Sequence, residues 1–174
     1  MKVAIIDDER DMRLSITQWL SLSGYEAESF ASAEEALAKI GSNYPGVVVS
    51  DIKMPGMDGM QLLKKLMGQD SGLPVILITG HGDVPMAVEA MRLGAFNFLE
   101  KPFEPEDLTQ LIKLAAQKRR LTLESRELRQ ELSDGSKIIK KLAGSSKVLL
   151  KLKEDILDFS QSDAFVLVEG ETGS

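Results

Sequence analysis

Apolar and polar positions along the chain fall into two rhythms that alternate. Short, nearly unbroken apolar runs occupy residues 3–6, 47–49, 75–78 and 96–98, and a weaker, alternating run spans 25–30. Between them, residues 12–22, 33–40, 60–67 and 85–93 carry apolar side chains at three- and four-residue steps. The first rhythm predicts strands and the second amphipathic helices. Strands without a polar face are buried on both sides, so the unbroken runs belong inside a parallel sheet and 25–30 at its edge. Gly24, Gly41, Gly68 and Gly94 stand where helix C-termini are expected, because glycine enters the left-handed conformation that ends a helix. Five strands and five helices by about residue 120 predict an α/β domain with a doubly wound parallel sheet. Such a fold gathers its site at the carboxyl ends of the strands.

Beyond the fifth strand, Pro105-Glu106-Asp107 starts a helix that does not stop where a compact domain would. Leu111, Leu114, Leu121, Leu128 and Leu132 follow alternating three- and four-residue steps, with Lys118 and Ser125 in the remaining seam positions. A heptad seam through residues 105–133 predicts a coiled-coil linker that pairs with a second copy in a dimer. The other reading has the first half of this helix packed on its own domain and the rest solvated. Lys118-Arg119-Arg120 reads as a solvated face rather than a nucleic-acid patch. Ser133-Asp134-Gly135-Ser136 breaks the helix and marks a boundary.

The predicted strand ends carry the chemistry. Asp7 and Asp8 end the first, Asp51 the third and Thr79 the fourth, and Lys101 follows the fifth. Taken singly, each has an ordinary reading: a helix-capping pair, a strand terminus, a surface charge. Together they describe a phosphoryl site. Three carboxylates at one rim repel one another unless a hard divalent cation such as Mg²⁺ takes their oxygens. One carboxylate then serves as nucleophile, the metal and an ammonium neutralise developing charge, and a hydroxyl bonds an equatorial oxygen. A haloacid-dehalogenase-like phosphatase also begins from a strand-end Asp, but the acid/base it places two residues later is Lys53 here. Slow turnover and signalling suit Asp51 better than hydrolytic catalysis. His81, the only histidine, lies in a glycine-rich loop and is assigned no chemistry.

Asp7-Asp8, Asp51-Ile52-Lys53-Met54-Pro55-Gly56-Met57-Asp58-Gly59, Thr79-Gly80 and Lys101-Pro102-Phe103 resemble the signature of two-component receiver domains, over about residues 1–120. The resemblance implies a CheY-like (flavodoxin-like) fold and a sensor histidine kinase as partner. It makes Asp51 the phospho-acceptor, with Mg²⁺ held by Asp7, Asp8, Asp51 and the Lys53 backbone carbonyl. Thr79 and Lys101 would contact the phosphoryl oxygens, and Phe98 matches the family's switch aromatic. The Lys101–Pro102 bond is expected to be cis, as is usual in the family. A homodimer through the fourth helix, fifth strand and fifth helix is implied as well. The rivals are a receiver-like docking module that works without phosphotransfer, and a receiver joined to another output domain.

Residues 134–174 add a second resemblance. Leu142-Ala143-Gly144-Ser145-Ser146, an amphipathic helix over 147–159 and the run 163–173 are similar to the opening of the AAA+ domain of sigma-54-dependent activators. After the apolar run 165–168, Gly170, Glu171, Thr172, Gly173 and Ser174 look like the start of a phosphate-binding loop whose Lys and Ser/Thr would lie beyond the last residue. No nucleotide hydrolysis is expected of this chain. ATP, sigma-54 polymerase and DNA would be partners of a longer protein of the NtrC type. The wording of residues 79–88 and 118–121 is closest to regulators of C4-dicarboxylate transport, the DctD type. The strand at 165–168 is expected to be poorly held without the remainder of its domain.

Composition narrows this further. With 174 residues and 43% apolar content, the chain holds one well-cored domain and a remainder. No run approaches the length needed to cross a bilayer and no signal peptide opens the chain, so a cytoplasmic location without membrane contact is expected. There is no cysteine, which excludes disulfide scaffolds and thiolate metal sites. Net charge is −6, and neither half carries the basic footprint of a domain that grips DNA phosphates.

Overall fold

The computed structural model describes residues 1–80, 84–133 and 150–152, with backbone alone for 131–133. The chain divides into two compact units, Met1–Leu123 and Glu124–Ser174. Elements run in the order β1 (Lys2–Ile6), α1 (Arg10–Leu22), β2 (Glu26–Phe30), α2 (Ala33–Lys39), β3 (Gly46–Asp51), α3 (Gly59–Gln69), β4 (Val75–Thr79), α4 (Val84–Arg92), β5 (Asn97–Glu100) and α5 (Pro105–Ser133). All neighbouring strands are parallel, in the order β2-β1-β3-β4-β5. This is the doubly wound α/β sheet expected from the alternating rhythms. The order reverses between β1 and β3, and their carboxyl ends therefore border the crevice of the fold.

Alternation of side chains along the strands divides the core into two layers. Ala4, Ile6, Val48, Val75 and Leu77 face α2, α3 and α4, where Ala36, Leu62, Leu63 and Leu66 cover them. Val3, Ile5, Val47, Val49, Ile76 and Ile78 face α1 and α5, under Ile16, Leu20, Leu108, Ile112 and Ala115. β1, β3 and β4 are apolar on both faces because helices lie on both. β2 sits at the edge and is partly exposed, in keeping with its alternating sequence.

Two of the four expected glycine stops adopt the left-handed conformation, Gly24 at φ +83° and Gly94 at φ +101°. Gly68 instead lies inside α3, which continues to Gln69 and is capped by Asp70. Asp70 bonds backward to Leu66 and forward to Gly72 and Leu73, and so closes the helix without a glycine.

α5 departs from the expected seam at its start. Leu111 packs inward against the α1 side of the core, while Leu114 and Leu121 are exposed, as is Leu128. Arg119 is fully buried rather than part of a solvated face. The inward face repeats at Leu108, Ile112, Ala115 and Arg119, and helical geometry brings the seventh-residue leucines about 130–170° round from it. Residues 150–152 are helical, within the helix expected over 147–159. The side chain of Leu132, together with His81, the strand expected at 165–168 and the loop Gly170, Glu171, Thr172, Gly173 and Ser174, lies outside what the structure describes.

Candidate functional site

Parallel register brings the strand-end residues together. Ile6 pairs with Ser50, so the residues that follow, Asp7 and Asp51, emerge side by side. Thr79 pairs with Glu100, which brings Lys101 to the same rim. Asp7, Asp51 and Thr79 are all buried. The Lys101 Nζ reaches between the two carboxylates, 2.7 Å from Asp51 Oδ1 and 3.2 Å from Asp7 Oδ2.

Backbone groups fix the remaining oxygens. The Lys53 N–H donates to Asp51 Oδ2 at 2.7 Å, and the Glu9 N–H donates to Asp7 Oδ1 at 2.8 Å. From the first turn of α1, Arg13 Nη1 donates to the Asp7 carbonyl at 2.6 Å. The Lys101 N–H donates to the Thr79 carbonyl at 2.7 Å, and the Lys101–Pro102 bond is cis, as expected. The Lys53 side chain is exposed and supplies no acid or base beside Asp51. Phe98 is half-buried on β5 and packs against the α2–α3–α4 side of the core.

The electrostatics are those of a site short of positive charge. Burial pushes the Asp7 carboxyl above its ordinary range, and the Glu9 N–H and Lys101 offset this only in part. For Lys101 burial acts downward, but the hydrogen bond to Asp51 and the charges of Asp7 and Asp51 outweigh it, so its pKa lies above that of an ordinary lysine. Two buried carboxylates share one ammonium.

Of the three expected carboxylates, Asp7 and Asp51 are the buried pair. Asp8 is exposed, and among the described residues no three His, Cys, Asp or Glu side chains gather closely enough to hold a metal. Lys101 occupies the space between Asp7 and Asp51, where a cation would otherwise neutralise them. The donor set nevertheless fits a hard divalent ion: buried carboxylate oxygens in excess over positive charge, one of them destabilised by burial.

The loop after Asp51 ends in a glycine that borders this carboxylate's own backbone. Gly59 opens α3 and its N–H bonds the Ile52 carbonyl at 2.9 Å. A Cβ there would overlap the Asp51 carbonyl oxygen and stand 2.8 Å from Ile52 Cα. Asp58 and Gln61 form a capping box at the same helix start, a motif visible in the sequence as Asp-x-x-Gln. Together they seat α3 directly against the backbone of the candidate acceptor. On the other side, a largely apolar groove of about 350 Å³ runs from Lys101 and Pro102 past Met12, Ile16, Trp19 and Leu108.

Comparison with known proteins agrees with this geometry. The family model for the response regulator receiver domain matches residues 3–113. The C4-dicarboxylate transport transcriptional regulatory protein DctD of Rhizobium meliloti (strain 1021) is 46% identical over 172 residues, 99% of this chain and 37% of that protein. DctD of Pseudomonas aeruginosa is 46% identical over 173 residues, again 99% of this chain and 37% of its own length. FixJ of Bradyrhizobium diazoefficiens is 42% identical but aligns with 75% of this chain and 64% of its own. The chain thus spans 37% of the length of the DctD relatives it matches. Among solved structures, a CheY-like receiver domain protein from Methanospirillum hungatei JF-1 superposes with TM-score 0.65 at 33% identity, over 70% of this chain and 97% of that one. The beryllofluoride-activated NtrC4 receiver domain dimer does so with TM-score 0.63 at 35% identity, over 68% and 98%. With the sheet order, the acidic pocket and the family match in agreement, this chain belongs to the response regulator receiver domain family.

Proposed function

We propose that the chain is the phospho-accepting switch of a sigma-54-dependent transcription activator in a two-component system. The observation that carries this reading is the Asp51 carboxylate, buried and held on one side by Lys101 Nζ and on the other by the Lys53 N–H. An Asp51 oxygen attacks the phosphorus of a phosphohistidine or of acetyl phosphate. The new O–P bond forms as the imidazole or acetate departs, and Lys101 pairs with the incoming phosphoryl oxygens. Mg²⁺, held by Asp7, Asp8, Asp51 and the Lys53 carbonyl, would supply further neutralisation of phosphoryl charge. Thr79, at the end of β4, would bond a phosphoryl oxygen, and Phe98 would repack with it. The exposed Lys53 side chain leaves the acyl phosphate without a local acid or base, which favours a long-lived signal over hydrolysis.

The partners follow from surfaces. The groove beside Lys101 offers apolar footing for the kinase helix that presents the phosphohistidine. Val84, Val88 and Met91 stand exposed on α4, a face suited to homodimer contact with β5 and α5. The DctD matches extend over 99% of the chain, past α5 into residues 134–174, whereas the FixJ match stops at 75%. That difference supports an NtrC-type arrangement in a longer protein that hydrolyses ATP, remodels sigma-54 polymerase and binds DNA. Control of C4-dicarboxylate transport genes rests on the same relatives. A cytoplasmic location suits these partners, and no helix among the described residues is long and apolar enough to cross a membrane.

Intact mass after acetyl phosphate and Mg²⁺ tests the reading. A phosphoryl adduct is expected, lost in Asp51→Asn and lost without Mg²⁺. No adduct in any condition, and no response to beryllofluoride, would establish a docking module that works without phosphotransfer.

A further inference from the structure

Arg13 reaches the acidic rim from α1 without pairing with an acid. Asp7, Asp8, Glu9 and Asp11 all lie close to it in the chain, yet its Nη1 donates to the Asp7 main-chain carbonyl at 2.6 Å. Among the described residues no carboxylate forms an ion pair with it. The bond closes the turn Asp7-Asp8-Glu9 that joins β1 to α1. Glu9 stands at the N-cap of α1, but its side chain makes no capping bond. The turn is held instead by the Asp7 N–H on the Phe30 carbonyl at 3.3 Å, by the Glu9 N–H on Asp7 Oδ1 at 2.8 Å and by Arg13.

These ties differ in what they ask of the site. The Glu9 N–H engages Asp7 Oδ1 and Lys101 engages Asp7 Oδ2, so both bonds draw on the carboxylate that a cation would share. Arg13 draws only on a carbonyl oxygen and leaves the carboxylate to the rim. A hydrogen bond from a guanidinium is short and directional, and its fork meets an acceptor from a fixed direction. Its charge acts the other way, since a cation beside two buried carboxylates opposes the entry of a second one. Arg13 is only half-buried, so solvent screens that charge, while the geometry of the turn is not screened. Positioning therefore outweighs repulsion.

We propose that Arg13 is a positioning residue for the cation site: through the Asp7 carbonyl it fixes the turn that carries Asp7 and Asp8, and so raises the affinity of the rim for Mg²⁺ although it adds positive charge there. The proposal rests on the reading of Asp7, Asp8 and Asp51 as the carboxylates that hold Mg²⁺. Arg13 acts through the backbone of Asp7 and touches neither the cation nor the phosphoryl group.

Calorimetric titration of the full chain with magnesium chloride, with no phosphodonor present, reads the affinity directly. Arg13→Met, which keeps an unbranched stem, and Arg13→Gln, as a milder second variant, each remove both the fork and the charge. Affinity for Mg²⁺ is expected to fall about 10–100-fold in both. Arg10→Met, which removes an exposed charge from the same helical turn, should bind as the parent does or slightly more tightly. With acetyl phosphate, the loss in the Arg13 variants should lie in the Mg²⁺ needed for half-maximal phosphorylation rather than in the rate at saturating Mg²⁺. Parent-like or tighter binding in the folded Arg13 variants overturns the proposal, because charge alone predicts tightening. An equal fall in Arg10→Met overturns it as well, and so does a parent that binds no Mg²⁺. Intact mass at saturating Mg²⁺ reports Asp51 chemistry separately: a parent that binds the cation but takes no phosphoryl group marks failure of the phospho-acceptor reading alone.

Discussion

Two buried ionisable residues show how differently a fold treats polar groups. Lys101 sits between two carboxylates: burial acts against its charge, but the hydrogen bond to Asp51 and the charges of Asp7 and Asp51 outweigh it and hold its pKa above the ordinary lysine range. Tyr44 is buried without such compensation: its hydroxyl has no hydrogen-bond partner among the described residues, and burial pushes its pKa up to about 12 from 10.0. Both groups keep their proton in the folded state at pH values where the unfolded chain has lost it. Stability is therefore full below about pH 10 and declines as pH rises through the folded values. Tyr44→Phe removes the unpaired hydroxyl and one of these two contributions. We expect its stability at neutral pH to equal or exceed that of the parent, within about 1 kcal/mol, and its decline between about pH 10 and pH 12 to be shallower. A steeper decline in thermal scans across that range would contradict the assignment.

At the scale of the element, the start of α3 is the joint on which the site depends. Gly56 turns the loop at φ +78°, and Gly59 lets the helix begin in contact with the Asp51 backbone. Gly59→Ala places a methyl group on the Asp51 carbonyl, so either the helix start or Asp51 must shift. We expect a loss of about 1–3 kcal/mol in denaturant unfolding, as for an overpacked core, together with slower phosphorylation because the Lys53 N–H moves with the loop. Gly68→Ala in the same helix is the control. An added Cβ there meets nothing within 4 Å, and alanine should stabilise by roughly 0.5–1 kcal/mol on helix propensity. Equal effects of the two substitutions would remove the special place given to Gly59.

For the whole molecule, the consequence is a sheet whose carboxyl edge sets two carboxylates against one ammonium, an excess of negative charge that a bound cation would relieve. Burial raises the Asp7 pKa, so its share of stability is greatest at low pH and is lost as pH rises through its folded value. Asp7→Asn should raise Tm by a few degrees at neutral pH in the presence of a chelator. Mg²⁺ should stabilise the parent by mass action, by about 2.7 kcal/mol at a hundredfold excess over Kd, and leave Asp7→Asn and Asp51→Asn nearly unmoved. Calorimetry that shows equal Mg²⁺ responses in all three would place the cation elsewhere. By itself the sequence determined the five strands, their helices and the rim on which Asp7, Asp51, Thr79 and Lys101 meet. Strand burial is written in unbroken apolar runs such as 47–49, and parallel register then carries each strand-end residue to the same edge. It also determined the length of α5, through periodicity. Only the tertiary structure decided that Asp8 stays exposed while Lys101 fills the gap between two carboxylates, that Leu111 turns inward, and that Arg119 is buried. Each of these depends on which distant backbone lies opposite, such as the Tyr44 carbonyl and the Asp70 carboxylate for Arg119, and a chain read along its length holds no record of that distance.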